Sequence, residues 1–178
     1  MGLDETAFAR EAPYYRTQFT TSIVDVGNAQ LLDVVPGRKA EGPTTWLKQH
    51  GEAWLANVPA CALDLSGPYR KVFTDTVPQA TLVADPFHVI KHANSKLDEC
   101  RRRVQNETLD HRGHKHDPPY RIRRLLTKAS ERLDEKGPQK MPGLLAAGDP
   151  HGEVAASYTA KEAVRELYSF TDFELAGT

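Results

Sequence analysis

The sequence predicts an α/β fold in which helices pack on a mixed sheet. The first observation is a pair of strand-like runs, residues 18–27 and 29–37, that are separated by a Gly27-Asn28 turn. Such a turn between two strand-like runs is typical of an antiparallel hairpin. The second observation is that short apolar runs then alternate with segments of helical periodicity, which favours parallel strands. Antiparallel and parallel pairing together predict a mixed sheet.

The predicted elements of the first part follow the order β-β-β-α-β-α-β-α. Residues 2–8, "GLDETAF", are interpreted as the end of a strand that precedes the hairpin. The elements predicted after the hairpin are a helix over residues 43–58 capped by Thr44 or Thr45, a short strand ending at Asp64, a helix over residues 67–77 entered through Pro68, a buried strand ending at Asp85, and a helix from Val89 onward.

The chain changes character after Thr108. Residues 110–119 are polar and end in two prolines, so they predict a loop. The segments predicted after this loop are a basic amphipathic helix over residues 120–137, a second loop over residues 137–152, and a last helix over residues 154–170.

Positive charge is concentrated in one segment of an otherwise balanced chain. The whole sequence has 23 Lys or Arg and 24 Asp or Glu, but residues 101–132 contain ten basic and four acidic side chains. A local positive excess suits a polyanionic partner. A solvated helix rich in arginine explains the same charge equally well. His111, His114 and His116 match no spacing of an established zinc site, so they are interpreted as part of a phosphate-contacting or solvated loop.

Other features exclude several classes of protein. With 178 residues the chain suits one domain of ordinary size. Cys61 and Cys100 have no ligand spacing and are expected to be reduced. No signal peptide and no apolar run of membrane-spanning length is present, so a soluble, cytoplasmic protein is expected.

Three carboxylates end or adjoin apolar strands. They are Asp4, Asp64 and Asp85. Because neighbouring strands lie about 4.8 Å apart, acids at their ends can converge at one edge of a sheet. Carboxylates brought together need a cation between them, and hard oxygen ligands favour Mg²⁺ or Mn²⁺. Helix caps at Asp4 and Asp64 and a turn at Asp85 explain each acid alone equally well.

Several motifs together resemble a known family. They are "GLDETAF", "DVVPGR", "LDLSGPYRKVF", "PQATLVADPFHVIKHAN" and "LDECRRRVQNETLDHRGHKHDPPYRIRRLL". In these motifs the chain resembles, over nearly its whole length, bacterial insertion-sequence transposases with a DDE catalytic domain, in the branch called ISL-three. The resemblance implies an RNase H-like fold with a five-stranded mixed sheet. It also implies Mg²⁺ or Mn²⁺ as cofactor and cleavage and joining of DNA strands at element ends.

The resemblance assigns roles residue by residue. Asp4 matches the first catalytic aspartate and Asp64 the second, and both are expected to bind the metal. Asp85 with His88 is similar to an Asp-x-x-His signature after the fifth strand, which implies that His88 orients the carboxylate or contacts phosphate. A His88 that is hydrogen-bonded beneath the following helix is an equally good interpretation.

The third acid of the family, a glutamate, has no clear match. Glu162, Glu166 and Glu174 are available, but none lies in a segment that resembles the family's glutamate motif. We therefore expect an RNase H-like core over residues 1–109 and a partial helical insertion over residues 110–178. A chain truncated before its third acid is expected to show little or no strand transfer.

The expected partner is double-stranded DNA, both element ends and target, and self-association is left open. The residues expected to contact DNA phosphates are Arg101, Arg102, Arg103, Arg121, Arg123 and Arg124. Two other interpretations stay open. One is a DNA-binding remnant without activity, and the other is an RNase H-like nuclease that completes its site with Glu162 or Glu166.

Overall fold

This computed structural model describes residues 1–11 and 16–169, with side chains except at residues 8–11 and 16. The strand β1 (Gly2–Glu11) lies at the centre of a five-stranded sheet. The sheet order is β3-β2-β1-β4-β5. The other strands are β2 (Arg16–Asp25), β3 (Gln30–Pro36), β4 (Ala60–Leu63) and β5 (Thr81–Ala84).

Strand pairing makes the sheet mixed. β1, β2 and β3 pair antiparallel, whereas β4 is parallel to β1 and β5 is parallel to β4. The predicted fold class is therefore confirmed, and it is consistent with an RNase H-like fold. The segment "GLDETAF" lies in the ten-residue strand Gly2–Glu11, which pairs with both β2 and β4.

Contacts within the chain divide it into two compact units, Met1–Val89 and Ile90–Thr178. The first unit contains the sheet and the helices α1 (Glu41–Gln49), α2 (Glu52–Leu55) and α3 (Gly67–Thr76). The helix α4 (Pro86–Leu109) starts in the first unit and continues into the second. The predicted boundary after residue 109 coincides with the end of this helix, and the assignment of the two domains stays a prediction.

The core of the first unit lies between the sheet and α1 and α3. Leu3, Ile23 and Leu63 from the strands pack with Tyr69 and Phe73 from α3, and all five are buried. Apolar burial of this kind stabilises the fold by about 25 cal/mol per Å² removed from water. It also fixes which way β1 and β4 face, because successive side chains of a strand point to opposite faces.

A buried hydroxyl pair connects α3 to the sheet. The Thr21 hydroxyl donates to the Gly37 carbonyl at 2.8 Å, so the Tyr69 hydroxyl, also at 2.8 Å, donates to Thr21. Gly37 has φ +83°, a conformation that favours glycine. Through these bonds the chain leaving β3 is tied to α3.

The helix predicted over residues 43–58 is in fact two helices, α1 and α2. Gly51 separates them with φ 78° and ψ 160°, a conformation outside the range of other residues. The predicted cap at Thr44 or Thr45 is also wrong. The helix starts earlier, at Glu41, and no side chain caps it.

The strand β5 is at the edge of the sheet, not buried as predicted. Its residues alternate between exposed and half-buried, and Val83 is 44% exposed. A run of four residues, three of them apolar, therefore did not indicate burial on both faces here.

The second unit is helical. Its remaining helices are α5 (Pro118–Thr127), α6 (Lys136–Gly148) and α7 (Glu153–Leu167), with a 3-10 turn at Ser130–Arg132. The core contains Leu97 and Val104 of α4, Ile122 and Leu126 of α5, Met141 of α6 and Val154 of α7.

Two predictions for the second unit are wrong. The basic helix ends at Thr127 and does not continue to residue 137. Residues 137–152, predicted as a loop from their glycines and prolines, mostly form α6. Pro138 lies in the first turn, where no helical donor is needed, and burial of Met141 offsets the missing hydrogen bond at Pro142. Among the described helices, none is both long and apolar enough to cross a bilayer.

Candidate functional site

Three aspartates follow one another across adjacent strands. Leu3 of β1 pairs with Leu63 of β4, and Leu63 pairs with Ala84 of β5. The next residues along the three strands are Asp4, Asp64 and Asp85, which we call the aspartate row. Since paired strands lie about 4.8 Å apart, each carboxylate of the row has a neighbour one strand away.

The negative charges of the row act on a common neighbour. Burial raises the pKa of the Tyr69 hydroxyl, its hydrogen bond with Thr21 opposes that shift, and the charges of Glu5, Asp64 and Asp4 raise the pKa further. Asp4 and Asp64, sixty positions apart in the chain, thus both disfavour ionisation of one buried hydroxyl.

Two carboxylates of the row are held by backbone turns. The Ser66 amide donates to Asp64 Oδ1 at 2.9 Å, and the Phe87 amide donates to Asp85 Oδ1 at 2.8 Å. In both cases a backbone amide donates to the carboxylate of the residue two positions before it, as in Asx turns. Asp85 therefore forms the predicted turn through Oδ1, whereas its Oδ2 lies toward His88.

His88, in the first turn of α4, faces two carboxylates. Its Nε2 lies 3.5 Å from Asp4 Oδ1 and 3.9 Å from Asp85 Oδ2, and its side chain is 23% exposed. The Phe87 ring packs edge-on against the imidazole, with centroids 5.3 Å apart. The imidazole thus contacts the aspartate row.

The row fits a hard cation in its donor chemistry. Asp4, Asp64 and Asp85 offer carboxylate oxygens, the ligands that Mg²⁺ and Mn²⁺ prefer. In the part of the chain that the structure describes, no three His, Cys, Asp or Glu side chains are close enough to hold an ion as they are placed. The side chains of the row would therefore have to turn toward one another to bind it.

Of the three candidate glutamates for a third acid, Glu162 is already paired within the second unit. Its Oε2 lies 2.5 Å from Arg165 Nη1, and Lys161 contacts its other oxygen. Burial would raise the pKa of Glu162, but hydrogen bonds from Lys161 and Ser130 outweigh it and lower the pKa. Glu166 is exposed on α7, and Glu174 lies outside the described residues.

The arginines of α4 have partners within the chain. Arg101 is buried, and its guanidinium contacts the Asp98 carboxylate at 2.7 Å and the Gln105 side chain at 3.0 Å. Arg102 pairs with the same Asp98 at 3.1 Å. Arg103 pairs with Glu107 at 3.0 Å and with Glu153, and hydrogen bonds to these two carboxylates raise its pKa.

The arginines of α5 differ in exposure. Arg123 lies over the Tyr120 ring at 3.8 Å and donates to the Tyr120 carbonyl at 2.7 Å. Arg121 and Arg124 are exposed, three residues apart and therefore on one side of the helix. Within the described residues neither forms an ion pair. Charge counting along the sequence did not separate these arginines from the paired ones, although Asp98 three residues before Arg101 was a signal of internal pairing.

The histidine loop is bonded within itself. The rings of His111 and His114 meet edge to face with centroids 4.4 Å apart. The Gly113 amide donates to His111 Nδ1 at 3.0 Å, and the His114 amide donates to Asp117. One histidine nitrogen is thereby engaged by the backbone.

Comparisons with known proteins give one consistent result. A family model described as Transposase, that of the ISL3 type with a DDE domain, matches residues 1–177. The transposase for insertion sequence element IS1001 of Bordetella parapertussis is 26% identical over 158 residues, which cover 86% of this chain and 37% of that protein. The transposase for insertion sequence element IS1557 of Mycobacterium tuberculosis is 28% identical over an alignment of 189 residues, which covers 95% of this chain and 41% of that protein. The chain thus spans about two fifths of these relatives. No solved structure matches it significantly.

Proposed function

Because the chain belongs to the ISL3 family of DDE transposases, we propose that it takes part in metal-dependent cleavage and joining of DNA at insertion-sequence ends. The observation that carries this proposal is the aspartate row, in which carboxylates from β1, β4 and β5 occupy adjacent positions. A row of this kind is costly without a cation, since like charges repel.

Asp4 and Asp64 would hold the divalent cation, and Asp85 would support the site from the next strand. When bound, Mg²⁺ or Mn²⁺ lowers the pKa of a water or a 3′-hydroxyl and stabilises the leaving oxygen of a phosphodiester. The chain itself supplies the rigid edge of the sheet. The turns at Ser66 and Phe87 keep one oxygen each of Asp64 and Asp85 engaged and leave the other available.

DNA would be held through phosphates by the exposed arginines of α5. Arg121 and Arg124 lie on one side of the helix, while Ile122 and Leu126 are buried on the other. Contacts of this kind give affinity that falls with salt and little base readout. Arg101, Arg103 and Arg123 are less suited, because their guanidinium groups are already engaged.

By itself the chain would show little or no strand transfer. The proposed family chemistry needs a third carboxylate, and Glu162 is neutralised by Lys161 and Arg165 in its own unit. Releasing it would leave the buried Lys161 ammonium without a carboxylate, while Arg165 would keep Glu131. The pairing therefore disfavours a nuclease that completes its site with Glu162, and it favours a core that binds metal and DNA.

The proposal is tested by titrating the full chain with Mn²⁺ and measuring free ion by electron paramagnetic resonance. Asp4→Asn and Asp64→Asn are each expected to weaken Mn²⁺ binding at least about tenfold, because each removes a charged ligand. Asp75→Asn is the matched control, since Asp75 is an exposed acid of α3 that pairs with Lys71 at 2.8 Å. Equal Mn²⁺ affinity in the unchanged chain and all three variants would refute the metal site.

A further inference from the structure

We propose that a groove beside the aspartate row binds one unpaired nucleotide of the DNA, with its phosphate on Arg70 and its sugar and base against apolar side chains. The groove lies between α3 and β5, and we call it the α3–β5 groove. The residues that line it include Asp64, Leu65, Gly67, Arg70, Leu82 and Val83. The groove site rests on the proposed function, because it concerns the DNA strand on which the row would act. It lies in the first unit and is separate from the arginines of α5.

The groove and the aspartate row share a wall. Asp64 lines the groove directly, and Ala84, the residue before Asp85, lines it on the side of β5. A phosphodiester held at Asp64 would therefore lie at the edge of the groove. The nucleotide beside that phosphodiester would then have the groove as its nearest concave surface.

The size and the lining of the groove suit a single nucleotide. Its volume is about 350 Å³, near the lower end of the range of roughly 300–1,000 Å³ for small-ligand sites. Most of the lining side chains are apolar, and Leu65 and Val83 are 57% and 44% exposed. Covering such apolar surface with a sugar and a base is favourable. A paired base would bring the opposite strand, for which a groove of this volume has no room, so the nucleotide must be unpaired.

Arg70 supplies the positive charge of the groove. Its side chain is exposed, and among the described residues it forms no ion pair, although Asp64 lines the same groove. A guanidinium that has no carboxylate partner can donate two parallel hydrogen bonds to a phosphate. The next residue differs, because Lys71 pairs with Asp75 at 2.8 Å.

Backbone hydrogen bonds fix Arg70 relative to Asp64. The Ser66 amide donates to Asp64 Oδ1 at 2.9 Å, and the Arg70 amide donates to the Ser66 carbonyl at 3.2 Å. The buried side chains of Tyr69 and Phe73 hold α3 in the core of the first unit. The corner between β4 and α3 thus positions both the carboxylate of the row and the cation of the groove.

The chain offers two matched pairs of variants. A Cβ added at Gly67, which lines the groove, has no described atom of another part of the chain within 4 Å, and the same is true at Gly143 of α6. Gly67→Phe therefore fills the groove without a change of charge, and Gly143→Phe adds the same ring elsewhere. Arg70→Gln and Lys71→Gln form the second pair, since each removes one positive charge from α3.

The test compares the affinity of the full chain for a blunt DNA duplex and for the same duplex with a short single-stranded overhang. Affinity is measured by fluorescence anisotropy in Ca²⁺, which binds to oxygen ligands. The unchanged chain is expected to bind the overhang DNA about tenfold more tightly, a difference that corresponds to one charge-assisted contact. Gly67→Phe and Arg70→Gln should abolish this advantage, whereas Gly143→Phe and Lys71→Gln should retain it. If thermal unfolding shows that Gly67→Phe does not fold, the comparison between Arg70→Gln and Lys71→Gln decides.

Three results would overturn the groove site. The first is equal affinity of the unchanged chain for the two DNAs. The second is an overhang advantage that all four variants retain. The third is an equal loss for both DNAs in Arg70→Gln with no effect of Gly67→Phe, since Arg70 would then contact duplex phosphate outside the groove.

The Mn²⁺ affinity separates failure of the groove site from failure of the proposed function. It should be unchanged in Arg70→Gln and Gly67→Phe, because neither residue is a metal ligand. If Asp64→Asn loses Mn²⁺ affinity and no overhang advantage is found, the metal site stands and the groove site does not. Unchanged Mn²⁺ affinity in Asp64→Asn would instead remove the proposed function, and the groove site with it.

Discussion

At the scale of single residues, the second unit contains a buried lysine that the sequence did not single out. Lys161 is 2% exposed, and its Nζ donates to the carbonyls of Leu126 and Lys128, both at 3.0 Å. It also contacts Glu162 and lies over the Tyr158 ring. These bonds satisfy carbonyls at the C-terminus of α5, where the helix has no further donors. A lysine on a helix is usually solvated, so only the folded structure shows this role.

Lys161→Met is therefore expected to destabilise the protein by about 2–4 kcal/mol, because the two carbonyls would be left without their donor and Glu162 would lose one of its two cations. Urea unfolding followed by circular dichroism measures this. Lys140→Met, at an exposed position of α6, should change the free energy of unfolding by less than about 0.5 kcal/mol. A similar small effect in both variants would show that the bonds of Lys161 contribute little.

At the scale of elements, the arginines of α4 and α5 divide into paired and unpaired groups. Arg103 is neutralised by Glu107 and Glu153, whereas Arg121 and Arg124 face solvent. Arg121→Ala and Arg124→Ala are each expected to weaken binding to duplex DNA. Each should also reduce the steepness of the plot of log binding constant against log salt concentration by about 0.9 for each phosphate that is no longer neutralised. Arg103→Ala is expected to leave both quantities nearly unchanged. Fluorescence anisotropy across a salt series provides the measurement, and a larger effect in Arg103→Ala than in the other two would contradict the assignment.

The sequence predicted some elements better than others, for physical reasons. The hairpin and the strand ends were predictable because turn residues and short apolar runs are local signals. The break at Gly51 and the helix α6 were not, since each depends on packing that the local pattern does not contain. In α6 the burial of Met141 outweighs proline and glycine content. The burial of Arg101 likewise depends on Gln105 and on the Pro119 carbonyl, eighteen residues away.

At the scale of the whole molecule, the site depends on strand order. Asp4 and Asp64 become neighbours because β4 pairs with β1 and not with β3, the strand that precedes it in sequence. Strand ends bearing acids could be predicted, and the family resemblance supplied their roles. The contact of His88 with Asp4 could not be predicted, because it requires knowing that β1 and β5 flank β4 and that α4 begins directly after β5.

The most direct measurement is X-ray diffraction from crystals of the chain soaked in Mn²⁺, with data collected at the manganese absorption edge. We expect one strong anomalous peak beyond the ends of β1 and β4, within about 2.2 Å of carboxylate oxygens of both Asp4 and Asp64. A peak coordinated by other residues would contradict the claim that the two strands share a cation. An ion at full occupancy that neither Asp4 nor Asp64 contacts would contradict it as well.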